Sequence, residues 1–114
     1  MDISKVIELT EATLVCGGDQ TGNEVIRGFS SDLMSDVLTL DTEGLLLITG
    51  LSNIQTIRTA EMADIHYILF VRDKKVTDEM VKLAVENNMV ILETPFSLFK
   101  TSGILFSQGL NPVY

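Results

Sequence analysis

The sequence is poor in the residues on which disulfide frameworks, zinc centres and nucleophilic catalysis depend. Its 114 residues include no tryptophan, one cysteine (Cys16) and one histidine (His66). One cysteine cannot form an internal disulfide, and such sparse usage is typical of a reducing compartment, so we expect a cytoplasmic protein. One cysteine and one histidine are also too few to complete the tetrahedral ligand set of a structural zinc site.

Basic residues and long apolar runs are scarce as well. Lysine and arginine number 8 against 16 aspartates and glutamates, which gives a formal net charge of −8. Nucleic acids and anionic membrane surfaces bind clustered basic side chains, so we expect neither as a partner. No apolar run approaches the roughly 20 residues of a membrane-spanning helix. We also expect no signal peptide, because residues 1–5 lack its basic and apolar regions.

Apolar side chains, in contrast, are abundant. Hydrophobic residues make up 46% of the chain, and its mean hydropathy is +0.30. We expect a single domain, residues 1–114, with a well-buried core. The excess also predicts an exposed apolar patch that a second copy covers in a homodimer.

The most informative stretch is Gly44–Asn53. Leu45–Ile48 is an unbroken apolar run after a glycine, which is typical of a strand buried on both faces. Thr49–Gly50 then opens a turn, and Ser52 with Gln55 fits a capping box at the start of a helix. The stretch therefore predicts a strand, a tight turn and a helix N-terminus in succession.

From this strand onward the pattern alternates between strand and helix. Further strands are predicted at 66–71 and 89–92, helices after residues 52, 77 and 94, and two earlier strands at 12–16 and 24–29. Short connections of this kind indicate parallel strands with right-handed crossovers. We predict an α/β fold, a three-layer α/β/α sandwich around a mostly parallel sheet of about five strands. The first two strands are expected to extend the sheet at one edge, either as an antiparallel hairpin or as separately placed strands.

Helix starts at the carboxyl ends of parallel strands suggest a binding site. Thr49, Gly50, Ser52 and Asn53 surround one such start, and Thr94 marks another. The positive helix end favours phosphate or carboxylate there, and ligands of open α/β sheets bind at this edge. We expect these five residues to bind a small anionic ligand, unless Ser52 and Thr94 are only helix caps. No cofactor is expected, because the chain has neither a P-loop nor a Gly-x-Gly-x-x-Gly turn.

Other polar residues offer weaker candidates. Asp32 and Asp36 lie one turn apart in a helix predicted to begin at residues 30–32, and together they could hold Mg²⁺ or Ca²⁺. The alternative is a solvated acidic face, and we expect no metal site. Cys16 and His66 could form a nucleophilic pair, but their apolar surroundings favour buried structural roles. No catalytic residue is assigned.

The last predicted helix, which begins at Thr94–Pro95, is aromatic. Apolar side chains cover more than one of its faces (Phe96, Leu98, Phe99, Ile104, Leu105 and Phe106), so contact with the sheet alone cannot bury them all, and the aromatic ones are Phe96, Phe99 and Phe106. We expect these three residues to form an interface with a second copy or with a protein partner.

Three groups of residues resemble the DRTGG domain family, and the match is to its small stand-alone members. The groups are Gly28–Val37; Ile48–Thr49 followed by Asn53; and Thr94–Pro95 followed by Phe99 and Gly103. The resemblance covers the chain from about residue 12 to residue 110. The family signature itself is altered: Leu51–Ser52 stands where Asp-Arg is typical, and Val71–Asp73 stands where Thr-Gly-Gly is frequent.

The resemblance implies a layered α/β/α fold similar to the N-terminal domain of HPr kinase/phosphorylase. In larger proteins such domains accompany nucleotide-sensing CBS domains, as in some family II pyrophosphatases, or precede phosphotransacetylase domains, and there they look regulatory and help dimerisation. We therefore expect a non-enzymatic regulatory or interaction module that homodimerises and binds a small anionic ligand such as a nucleotide. Two alternatives are a metal-dependent phosphate-handling enzyme that uses the acidic helix, and an adaptor that binds another protein through the last helix.

Overall fold

A six-stranded sheet lies between two layers of helices in the computed structural model, which describes residues 1–114. The strands are β1 (Thr13–Cys16), β2 (Arg27–Ser30), β3 (Leu45–Thr49), β4 (Tyr67–Phe70), β5 (Val90–Glu93) and β6 (Asn111–Pro112). The helices are α1 (Ile3–Thr10), α2 (Met34–Val37), α3 (Ile54–Met62), α4 (Asp78–Glu86) and α5 (Leu98–Ser107). The predicted α/β class is confirmed, and β6 is a short additional strand.

The strands follow the order β1-β5-β4-β3-β2-β6 across the sheet. Every neighbouring pair is parallel except β1 with β5, which is antiparallel. The prediction that the first two strands share one edge is wrong, because β1 pairs with β5 whereas β2 pairs with β3. The chain therefore crosses the width of the sheet between its first and second strands.

Residues 17–26 make that crossing along the amino ends of the parallel strands. The segment is fixed by hydrogen bonds from the side chains of Gln20 and Asn23 to the Asn88 carbonyl and the Tyr67 hydroxyl. Closer to β2, the backbone N–H of Ile26 donates to the carbonyl of Gly44 at 2.8 Å. Turn-forming residues in this segment are also compatible with a tight hairpin between β1 and β2. The residue pattern alone therefore does not distinguish such a hairpin from a crossing of the sheet.

The core has two halves, one on each face of the sheet. Successive residues of a strand point to opposite faces, so Leu45 and Leu47 lie on one face and Leu46 and Ile48 on the other. The first face packs against α2, α3 and α4, and the second packs against α1 and α5. All four leucine and isoleucine side chains are almost fully buried, which explains why β3 has no polar alternation.

Three predicted helix starts are wrong, and the first is that of α2, which begins at Met34 rather than at residues 30–32. Asn53, rather than Ser52, caps α3 by accepting the backbone N–H of Thr56 at 3.0 Å. Ser97 caps α5, so Thr94–Pro95 lies in the preceding turn and is not the first turn of that helix. None of the helices has the length and apolar character that crossing a membrane requires.

Candidate functional site

Four parallel strands end at one edge of the sheet, and a helix begins there after each of them, although α2 is only one turn long. β2, β3, β4 and β5 are followed by residues 31–33, 50–53, 71–77 and 94–97, which together we call the carboxyl edge. Asn53, Thr77 and Ser97 cap α3, α4 and α5 at this edge. The positive ends of three helix dipoles therefore converge on it. Thr49 and Thr94 both lie at this edge, and their role in ligand binding stays a prediction.

The turn after β3 already holds a carboxylate. Asp32 Oδ1 accepts the backbone N–H of Gly50 at 2.7 Å and the hydroxyl of Thr49 at 3.0 Å. Thr49 is completely buried, whereas 44% of the Asp32 side chain is exposed. The turn thus accommodates an anionic group, which is the side chain of the protein's own Asp32.

A guanidinium group lies beside the same carboxylate. Arg72 Nη2 is 3.6 Å from Asp32 Oδ2 and donates to the Gly50 carbonyl at 3.3 Å. A Cβ at position 50 would overlap this guanidinium group, so glycine leaves the space that it fills. About half of the Arg72 side chain (51%) is exposed, which leaves it accessible to a dissolved anion.

Arg72 is presented by a strained turn. Arg72 and Asp73 both have positive φ, 61° and 58°, a conformation that costs a non-glycine residue roughly 1–2 kcal/mol. Hydrogen bonds from their N–H groups to the carbonyls of Phe96 and Thr94 hold the turn against the segment after β5. Asp73 also bonds to Lys75, which raises the pKa of the Lys75 ammonium.

The hydroxyls of Ser52 and Thr94 are not free for a ligand. Ser52 donates to the carbonyl of Lys75 at 2.8 Å. Thr94 is buried and donates to the carbonyl of Thr10 at 2.6 Å. Ser52 thereby joins two segments of the carboxyl edge, and Thr94 joins this edge to the end of α1.

Sequence reasoning missed Asp32 and Arg72 as partners in one site. Asp32 is predicted within a helix, but α2 spans only Met34–Val37 and begins after it. Arg72 opens the charged run Arg72–Lys75, which as a sequence is typical of a solvated turn. The available signal was position: each residue is the second one after the end of a parallel strand, where ligands of open α/β sheets bind.

The remaining candidates do not assemble into a reactive site. Asp32 lies before α2 and Asp36 within it, so they do not lie on successive turns of one helix. No group of three His, Cys, Asp or Glu side chains is arranged to hold a metal ion. Cys16 directs its thiol to the carbonyl of Met89 at 3.6 Å. His66 instead contacts Asp64 at 3.1 Å, so these two side chains do not form a nucleophile and base.

The opposite edge of the sheet has a different electrostatic character. A hollow of about 540 Å³ is lined there by Glu24, Asp41, Glu43, Asp64 and His66, among others. Four carboxylates around one opening repel an anion. This hollow is therefore an unfavourable place for an anionic group.

The three predicted interface aromatics lie in two environments. Phe99 and Phe106 project from α5 and are 80% and 68% exposed. Phe96 precedes α5, and the ammonium group of Lys100 lies 3.8 Å from the centre of its ring. Of the three, Phe99 and Phe106 therefore offer apolar surface to a partner, whereas Phe96 is part of the turn that holds Arg72.

Comparison with known proteins supports the fold. No family model matches the chain, and no curated protein matches it. The chain is similar to the crystal structure of the CBS and DRTGG domains of the regulatory region of Clostridium perfringens pyrophosphatase, complexed with the activator diadenosine tetraphosphate, with a TM-score of 0.76 at 14% sequence identity. The similarity covers 98% of this chain and 48% of that one, so this chain spans about half the length of its structural neighbour. The resemblance to DRTGG domains is thus supported at the level of the fold.

Proposed function

We propose that this chain is a regulatory module without catalytic activity, which binds a small anionic ligand at the carboxyl edge and forms homodimers. The observation that carries the proposal is the Asp32 carboxylate, bound by the Gly50 N–H beside the Arg72 guanidinium. A backbone N–H, a hydroxyl and a guanidinium are the groups with which proteins bind phosphate and carboxylate ligands.

Binding occurs by exchange. The anionic group of the ligand replaces Asp32 at Gly50 and Arg72, and Asp32 is released together with residues 31–33. The exposed fractions of Asp32 and Arg72, about half in each case, make this replacement possible without opening the core. Because the free and bound states differ in the position of the segment between β2 and α2, the ligand can shift an equilibrium between two conformations.

A nucleotide is the ligand class that we propose first. The structural neighbour is a regulatory region crystallised with a nucleotide activator that carries several phosphates. Because this chain corresponds to only 48% of the neighbour's chain, the neighbour supports the class of ligand and the regulatory role but not the location of the site. The choice of the carboxyl edge rests on this chain's own residues.

Homodimerisation is proposed on the exposed aromatics. Phe99 and Phe106 leave more than two thirds of their surfaces uncovered on a single helix, and contiguous apolar surface of this kind is typical of protein interfaces. We place the dimer in the cytoplasm, consistent with the single free thiol of Cys16.

The ligand proposal is tested by titration calorimetry and thermal shift with diadenosine tetraphosphate, ADP and inorganic phosphate. A ligand that binds only the folded state adds about 2.7 kcal/mol to its stability at 100 times Kd. Arg72→Gln should weaken binding by roughly 10- to 100-fold, the loss expected for a charge-assisted hydrogen bond. Asp32→Asn should strengthen binding, because it removes the competing charge.

Two exposed residues provide matched controls. Asp36→Asn and Arg58→Gln make the same charge changes away from the Gly50 turn and should leave the affinity within about twofold of the wild type if long-range electrostatics are screened. If Arg72→Gln and Arg58→Gln weaken binding equally, the ligand responds only to overall charge. The proposal is then wrong, as it also is when none of the three probes binds.

A further inference from the structure

The outer face of α5 has a gap between its two exposed aromatics. Gly103 lies between Phe99 and Phe106, four residues after the first and three before the second, so all three share one side of the helix. A Cβ at Gly103 would meet nothing within 4 Å. The helix backbone is therefore open to close approach at the centre of an apolar face.

A cleft of about 150 Å³ adjoins this face. It lies between α5 and the strands β2 and β6, and its apolar lining includes Ile48, Leu105, Leu110 and Phe106. Ser102 and Phe106 border both the cleft and the outer face of α5. Cavities of about this volume lined by leucine, isoleucine and phenylalanine hold a benzene ring, so the cleft matches the ring of one phenylalanine.

The charge distribution identifies the partner. All 16 acidic residues lie within residues 1–93, and residues 94–114 contain one charged side chain, Lys100. Two copies of a chain with a net charge of −8 repel each other over most of their surfaces. The acid-free surface of α5 and β6 is where two copies can meet without bringing carboxylates together.

We propose that Phe99 of each copy occupies the cleft of the other, with the two α5 helices crossing antiparallel at Gly103. In this arrangement Phe99 of one copy faces Phe106 and the adjacent cleft of its partner, and the contact repeats about a two-fold axis. The inference rests on the homodimer of the proposed function and specifies how that dimer is built.

Sedimentation velocity of the full chain and its variants tests the arrangement. Phe99→Ala should raise the dimer dissociation constant by at least about 100-fold, because each dimer loses two buried rings. Gly103→Glu should prevent dimerisation. The variant should melt at or above the temperature at which the wild-type monomer melts in dilute solution, because the position is solvent-exposed and lies within a helix, where glutamate is more favourable than glycine. Met62→Ala and Met62→Glu make matched changes at a 69% exposed side chain on α3 and should leave dimerisation unchanged.

Isotope-filtered NMR on a mixed labelled and unlabelled dimer locates the ring directly. Intermolecular contacts between the Phe99 ring and the methyl groups of Leu110 are expected. A wild-type dimer in which Phe99→Ala has no effect, or in which Phe99 contacts other residues, overturns this inference but leaves homodimerisation intact. A wild-type monomer at every concentration up to the millimolar range overturns both, while the ligand titration still decides the anion site separately.

Discussion

The hydroxyl of Ser30 donates a 2.6 Å hydrogen bond to the hydroxyl oxygen of Ser102. The direction follows from Ser102, whose own proton is donated to the carbonyl of Leu98 at 2.7 Å. Ser30 ends β2 at the carboxyl edge, and Ser102 borders the outer face of α5. This hydrogen bond therefore joins the end of β2, the strand that leads to Asp32, to the helix that carries the proposed dimer surface.

Removing the donor of this bond should loosen α5 slightly. Ser30→Ala is expected to lower the free energy of unfolding by about 0.5–1.5 kcal/mol, the net worth of one hydrogen bond. Urea denaturation measures the change, with Ser35→Ala on the exposed side of α2 as the control. Equal midpoints for the two variants would show that the bond contributes nothing to the fold.

Gly17 should tolerate no side chain. Its φ is +89°, and a Cβ would lie 2.8 Å from both the Met89 carbonyl oxygen and the Val90 Cα, which are backbone atoms that cannot turn aside. Gly17→Ala is expected to cost about 2–4 kcal/mol, from left-handed strain and overpacking together. Gly22→Ala, with open space around it, should change stability by less than about 0.5 kcal/mol. Similar costs for both variants in a denaturant series would contradict this geometry.

Stability should fall in acid partly through Asp41. The backbone N–H of Glu43, and then Arg27, lower the pKa of the Asp41 carboxyl in the folded state. The unfolded state therefore binds the proton first, so the stabilisation is complete above the unfolded value of about 3.9 and is lost as the pH falls through the lower folded value. Denaturant titrations between about pH 2 and pH 6 should show a shallower acid decline for Asp41→Asn than for the wild type. Parallel curves would refute the assignment.

The thiol of Cys16 should react slowly. Burial raises its pKa, so the thiolate that attacks an alkylating reagent is rarer than in free cysteine. Iodoacetamide at neutral pH should modify native Cys16 at least about tenfold more slowly than glutathione, and denaturant should remove the difference. A native rate equal to that of glutathione would instead indicate an exposed, reactive cysteine.

The architecture could be predicted because it depends on long apolar patterns. The unbroken run Leu45–Ile48 has to be buried on both sides, which fixes β3 as an interior strand and requires helices on both faces. Gly109 and Leu110 close α5 with the two backbone hydrogen bonds of a Schellman motif, as their residue types suggest. Local pattern and tertiary packing agree in these elements.

The prediction failed where a polar side chain had several possible partners. Ser52 and Asn53 are both good helix caps. The Ser52 hydroxyl donates to the carbonyl of Lys75, which is distant in sequence, and Asn53 caps the helix instead. Asp32 likewise lies outside the helix, and its carboxylate accepts the N–H of Gly50, eighteen residues further along the chain. Such contacts depend on the order of the strands in the sheet, which cannot be inferred from local residue patterns.

The measurement that most directly tests the central claim follows the backbone amide of Gly50 by ¹H–¹⁵N NMR during titration with diadenosine tetraphosphate, in the wild type, Asp32→Asn and Asp36→Asn. If the ligand replaces the Asp32 carboxylate, the Gly50 amide and the Arg72 side-chain N–H resonances shift together. They should saturate at a lower ligand concentration in Asp32→Asn, and at the wild-type concentration in Asp36→Asn. Binding that leaves the Gly50 amide unmoved, or that Asp32→Asn does not strengthen, would contradict the account.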